Sequence, residues 1–228
     1  MPLREREIPI GDPGQAPAPP EPQPLPITPV CWALAAICVL MFVADLVERG
    51  EVFKKMLLFG PLVQQGQWWR VVTAVFAHGG ILHLVFNLSA VWTLGRMLES
   101  GIGTFRFLIT TIVGTLGSAF AVLVVNFDRP TLGISGVILA WAGAMLPIVN
   151  QAGRRSLGTW LIQVVVISLL PGVSWAGHLG GFVFGIPCGW VMRKGPVTFR
   201  AAAPVLVFIA GVLVYLAGSG RIGFPGND

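Results

Sequence analysis

The sequence predicts an all-α, polytopic membrane protein: a helix bundle with a six-helix core and a seventh, C-terminal span. Three observations predict it. Hydrophobic residues make up 54% of the 228 and charged residues only 11%, whereas soluble domains carry about 25% charged. The apolar residues fall into runs near the ~20 residues a helix needs to cross a bilayer. Lys and Arg gather at the ends of those runs and between them, where they set orientation. The net charge of +5 therefore reads as topology, and nucleic acid is not an expected partner.

In chain order, residues 1–28 form a tail. Ten of the 18 prolines lie within the first 29 residues, which precludes helix and favours extended, solvated chain on the cytoplasmic side. The tail lacks the apolar centre of a cleavable signal. A six-span core follows over 29–192, with spans expected at Pro29–Val47, Gly80–Leu98, Thr104–Val125, Gly133–Val149, Leu157–Val173 and Trp175–Met192. Residues 193–228 add a span at Phe199–Ala217 and a short polar end. The stretch 48–79 is neither a span nor a polar loop. Val52, Phe53, Met56 and Leu57 recur at helical spacing opposite Lys54 and Lys55, and Trp68-Trp69 follows, the pattern of a segment lying in the headgroup layer.

Orientation follows from the cations. A cytoplasmic N-terminus puts Arg4, Arg6, Arg96, Arg106, Arg154, Arg155, Arg193, Lys194 and Arg200 inside and leaves Arg49, Lys54, Lys55, Arg70, Arg129 and Arg221 outside. Four of the outer six belong to the 48–79 connection, so the short outer segments are nearly free of cations, as the positive-inside rule expects. The expected location is a cell membrane, the inner one of a bacterium. Cys31, Cys38 and Cys188 lie in apolar runs at no zinc-ligand spacing, so they read as small hydrophobes, and no metal or cofactor is expected.

Chemistry rests on few residues. The three histidines are His78, His83 and His178. His83 falls in the first turn of the second span and His178 in the first turn of the sixth, while His78 just precedes the second. The fourth span opens Gly133-Ile134-Ser135-Gly136. Under the orientation above these three spans all run from outside to inside, so their first turns share one depth. Small residues can bring them together laterally. Gly177, Gly181, Gly185 and Gly189 form one stripe, and Gly136, Ala140 and Ala144 another; small residues every fourth position let backbones approach closely in lipid. Such stripes also serve plain packing, so they carry weight only with the polar residues.

A neutral imidazole in hydrogen-bond reach of a serine can take its proton during attack on a carbonyl. Ser135 at a helix N-terminus has unpaired backbone N–H groups beside it for the resulting oxyanion. Asn87, four residues after His83 and on its face, adds an amide donor. Asp45, Glu99 and Asp128 lie at or beyond span ends, so no carboxylate is expected to orient His178. The pair is then a Ser–His dyad, and the ~10⁴ lost when a soluble triad loses its acidic member makes slow turnover the expectation.

His83-x-x-x-Asn87, Gly133-x-Ser135-Gly136 and Gly177-His178-x-x-Gly181, one on each alternate span, resemble the motifs of the rhomboid intramembrane serine proteases. Trp69-Arg70, eight residues before His78, and Glu99 in Leu98-Glu99-Ser100-Gly101 resemble further family features. The resemblance covers about residues 30–192. It implies Ser135 as nucleophile, His178 as general base, and an oxyanion site from His83, Asn87 and the Ser135 amide, flanked by Gly133 and Gly136. His78, Trp69, Arg70 and Glu99 are implied as structural or gating residues. It implies as substrates the transmembrane segments of other proteins within the lipid bilayer, with the fifth span and the 48–79 segment as gates. The sequence departs from the family in carrying Leu139 where an aromatic residue often stacks on the histidine.

Other classes fit less well. A zinc protease needs His-Glu-x-x-His, an aspartyl protease needs two mid-span aspartates, and a proton-coupled transporter places ionisable groups near the midplane. A rhomboid-like pseudoprotease that binds spans without cutting them remains the alternative. Nothing in the sequence sets an oligomeric state.

Overall fold

Proline opens the first helix, where its missing N–H costs nothing. In the computed structural model, which describes residues 27–170 and 172–223, α1 runs Pro29–Val47. The amides of Val30 and Cys31 in its first turn donate to Glu99 Oε1 and Oε2 at 3.0 and 2.9 Å. A carboxylate from the second span thus satisfies two of the orphan donors of the first. The expectations for the proline-rich tail fall on residues 1–26, outside the described residues.

The 48–79 connection forms three short helices, α2 (Glu51–Met56), α3 (Gly60–Gln64) and α4 (Arg70–Thr73), with a 3₁₀ turn at Ala74–Phe76. It is a folded cap more than a flat amphipathic helix, because Met56, Leu58, Val63, Val71, Ala74 and Val75 are all buried. Arg70, itself buried, donates to the carbonyls of Lys54 and Leu57, each at 2.9 Å, and to Gln67 Oε1 at 2.8 Å. The two tryptophans separate. Trp68 stacks on Tyr215 of the last helix with ring centroids 5.7 Å apart. Trp69 is 53% exposed, and its Nε1 donates to the Lys55 carbonyl.

The second span is one apolar stretch, Ile81–Ile102, built from α5 (Ile81–Ala90), a π turn at Val91–Gly95 and α6 (Arg96–Ile102). Gly103, at φ +85°, makes the reversal into α7 (Thr104–Val125). Then come α8 (Ser135–Met145), α9 (Gln151–Ser168), α10 (Trp175–Met192) and α11 (Pro196–Gly218). No strand occurs among the described residues; the sole β-type pairing is the isolated bridge Leu58–Thr131.

Among the described residues, four helical runs are long and apolar enough to cross a membrane: Pro29–Val47, Ile81–Ile102, Thr104–Val125 and Pro196–Gly218. The other three differ from that set for identifiable reasons. The fourth span was expected over Gly133–Val149, yet α8 has eleven residues. At 1.5 Å per residue that is ~16 Å, about half of a ~30 Å hydrocarbon layer, and other helices cover it at every position from Gly136 to Met145. The fifth span was expected at Leu157–Val173, but the Asn150 side chain accepts from Gly153 N at 2.9 Å and starts the helix at Gln151. That start brings Arg154 and Arg155 into α9. In α10, glycines, Pro187 and His178 dilute the apolar content.

The centre of the bundle is α8, buried at every position from Gly136 to Met145. Its most extensive partner is α10, which also packs on α7, and α11 lies along the outer side of α7. Trp141 of α8 is fully buried, with its indole N–H donated to Thr111 Oγ1 at 3.0 Å and its ring 4.7 Å from that of Phe107. Cys31, Cys38 and Cys188 are free, buried thiols.

Candidate active site

The two small-residue stripes meet. A Cβ on Gly181 would strike the Gly136 carbonyl, one on Gly185 the Ala140 carbonyl, and one on Gly189 the Ala144 carbonyl. Glycine is therefore obligatory along this face of α10, where backbone rests on backbone. Gly136 is constrained in the same way by Ser118 Oγ on α7, and a Cβ on Gly177 would sit 3.0 Å from that oxygen. This close approach of α8 and α10 aligns their first turns.

Ser135 is the first residue of α8. Its position is set from outside the helix: Leu58 and Thr131 exchange backbone hydrogen bonds of 3.0 and 2.9 Å, and Gly133 N donates to the Ala74 carbonyl at 2.8 Å. The 48–79 cap thus holds the segment that enters α8. Gly133 lies at φ +102°, in the left-handed region that glycine tolerates best.

His178 is half-buried in the first turn of α10, where Ser174 caps the helix by accepting from Gly177 N. His178 Nε2 stands 2.7 Å from Ser135 Oγ, across 43 residues of sequence. On its other side, Nδ1 stands 2.6 Å from Ser168 Oγ in the last turn of α9. Sequence reasoning missed Ser168. The expectation of a shared depth covers the first turns of alternate spans, whereas Ser168 lies in the last turn of α9. Leu139, the residue at the usual aromatic position, is buried in the core.

The remaining candidates gather at the mouth of α8. A Cβ on Gly133 would lie 2.9 Å from His83 Cε1, 3.0 Å from His83 Nε2 and 3.9 Å from Asn87 Nδ2, so both side chains border the residue two before Ser135. Asn87 is buried, and its Nδ2 donates one hydrogen to the His83 carbonyl at 3.0 Å, leaving the second for another acceptor. His78 is buried just before α5 and packs edge-on against His83, with ring centroids 5.1 Å apart. Its Nδ1 contacts the Phe76 carbonyl at 3.2 Å. Burial, reinforced by His83 nearby, pushes the His78 pKa down to about 4, so the ring is neutral near pH 7 and Nδ1 must donate that bond. Trp69, Arg70 and Glu99 lie away from this cluster, in the cap and at the α1–α6 contact described above.

A hydroxyl against an imidazole nitrogen, beside helix-terminal amides and an amide side chain, can in chemical terms support general-base-assisted attack on a carbonyl. The rhomboid domain profile matches residues 65–195, a stretch that contains all of these groups. The chain belongs to the rhomboid family. Relatives include Rhomboid protease GluP of Bacillus subtilis (strain 168), 31% identical over 167 residues, which cover 68% of this chain and 33% of that protein. RHOMBOID-like protein 5 of Arabidopsis thaliana is 29% identical over 191 residues, 73% of this chain and 62% of its own length. Rhomboid protease GlpG of Yersinia pestis (strain Pestoides F) is 28% identical over 173 residues, 69% and 60% respectively. The chain thus spans between a third and about three-fifths of the length of these three relatives. Family and apolar helices together make it a multi-pass membrane protein. The rhomboid match ends at residue 195, and α11 begins just beyond it.

Proposed function

We propose that this rhomboid-family chain is an intramembrane serine endopeptidase that cleaves transmembrane segments of other proteins. The observation that carries the reading is the 2.7 Å contact between Ser135 Oγ and His178 Nε2 at the N-terminus of a helix too short to span. Relatives named as rhomboid proteases support it. Ser135 attacks the scissile carbonyl carbon while its proton passes to His178 Nε2. The tetrahedral oxyanion takes hydrogen bonds from the free N–H groups at the start of α8 and from Asn87, with His83 alongside. The imidazolium then protonates the leaving amine, and water repeats the sequence in reverse roles to free Ser135 from the acyl-enzyme. Substrates are segments whose helices unwind easily, because the scissile bond must leave its helix before Ser135 can reach it. The N-terminus faces the cytoplasm of a bacterial cell, a reading supported by the distribution of Lys and Arg.

The test is cleavage of a reporter span by the purified full chain in liposomes. Wild type cuts and is labelled by a fluorophosphonate; Ser135→Ala does neither. Activity declines toward acid pH as His178 gains the proton that abolishes its role as base. Cutting that survives Ser135→Ala overturns the assignment. A wild type that binds spans but neither cuts nor labels is a pseudoprotease.

A further inference from the structure

The hydroxyl of Ser168 makes two contacts, 2.7 Å to the Val164 carbonyl and 2.6 Å to His178 Nδ1. It has one hydrogen. A carbonyl can only accept, so satisfying the first contact commits that hydrogen to Val164 and leaves a lone pair facing the imidazole. Nδ1 must then carry the ring proton, and Nε2 is left as the bare nitrogen that faces Ser135 Oγ. The opposite assignment, with Ser168 donating to Nδ1, sets two acceptor oxygens 2.7 Å apart and turns an N–H toward Ser135. Only one arrangement therefore satisfies all three short contacts at once.

We infer that Ser168 is a positioning residue. By accepting from Nδ1–H it holds His178 in the tautomer whose Nε2 can take the Ser135 proton, and it holds the ring plane where the chain lacks an aromatic residue at 139. In the dyad chemistry, the imidazolium formed when the Ser135 proton moves to Nε2 keeps its Nδ1–H on Ser168 Oγ. A neutral hydroxyl thus occupies the orienting place that a carboxylate fills in soluble triads, and the tie comes from α9, a helix that supplies neither member of the dyad. The inference rests on the protease reading for its kinetic consequence, but not for its structural one.

The experiment pairs steady-state cleavage with ¹⁵N spectroscopy of the His178 ring in the full-length protein. Ser168→Thr keeps the hydroxyl and is expected within about two-fold of wild type. Ser168→Val, which matches the threonine variant in shape but lacks the oxygen, and Ser168→Ala are expected to lower kcat about ten-fold, the scale of one neutral hydrogen bond, with KM unchanged. The ring shifts should report Nδ1–H in wild type and in Ser168→Thr, and a mixture of tautomers in Ser168→Val. Active wild type with Ser168→Val unchanged in kcat and in ring tautomer overturns the inference. Wild type that cuts no substrate yet shows the Nδ1–H ring, lost in Ser168→Val, keeps the tether and removes the protease reading instead.

Discussion

The contact between α8 and α10 and the helix α9 are built on opposite terms, although both touch His178. Along the first, glycines of α10 lie on the carbonyls of Gly136, Ala140 and Ala144, and α8 buries every residue from Gly136 to Met145. Along the second, eighteen residues bury only Leu157, and Ile162, Val165, Val166 and Ile167 are turned outward. In water such a helix would be a liability. In a bilayer it is not, because lipid tails solvate apolar side chains as well as protein does. The rigid contact sets the distance between Ser135 and His178, while the lightly packed helix contributes a single polar tie to the ring. One site therefore has a closely packed side and a lightly packed side.

That contrast can be broken or sharpened by substitution. The largest effect is expected on the closely packed side. Gly181→Leu drives a side chain into the Gly136 carbonyl and should cost ~3 kcal/mol or more, read as loss of folded protein in a detergent unfolding titration and with it all cleavage. A Gly181→Leu protein of native stability would show that backbone contact is not what joins these helices. Asn87→Ala should fold normally but lose ~10²-fold in kcat with little change in KM, the usual effect of removing one oxyanion donor; a change confined to KM would assign Asn87 to substrate binding instead. The smallest effect is expected on α9. Ile162→Ala, at a position 68% exposed, should leave stability within ~0.5 kcal/mol of wild type. A larger loss would mean that α9 is held by contacts that another molecule supplies.

Much of this was legible before any coordinates. Apolar runs locate α1, α7 and α10 to the residue, because a bilayer imposes one length scale and leaves a composition signal along the chain. The distribution of Lys and Arg sets the expectation that Ser135, His83 and His178 share one depth, and the spacing of Gly181, Gly185 and Gly189 indicates which helices can close together. Glu99 shows where such reading stops. Its family resemblance is visible, but its use as a cap for the Val30 and Cys31 amides joins residues nearly seventy apart. Ser168 was overlooked for a similar reason, since one serine among several in apolar runs carries no periodicity to single it out.

The amino-acid order alone thus settled the class of protein and the order of its apolar helices, and it set the expectation that Ser135, His83 and His178 lie near one level. These depend on hydrophobicity and helical repeat, which are properties of contiguous segments. Only the tertiary structure decided that α8 is a short buried helix, that the 48–79 segment folds into a cap holding Gly133, and which hydroxyl faces each nitrogen of His178. Those outcomes depend on distances between residues remote in the chain, set by how closely backbones pack, and no local pattern encodes a distance of that kind.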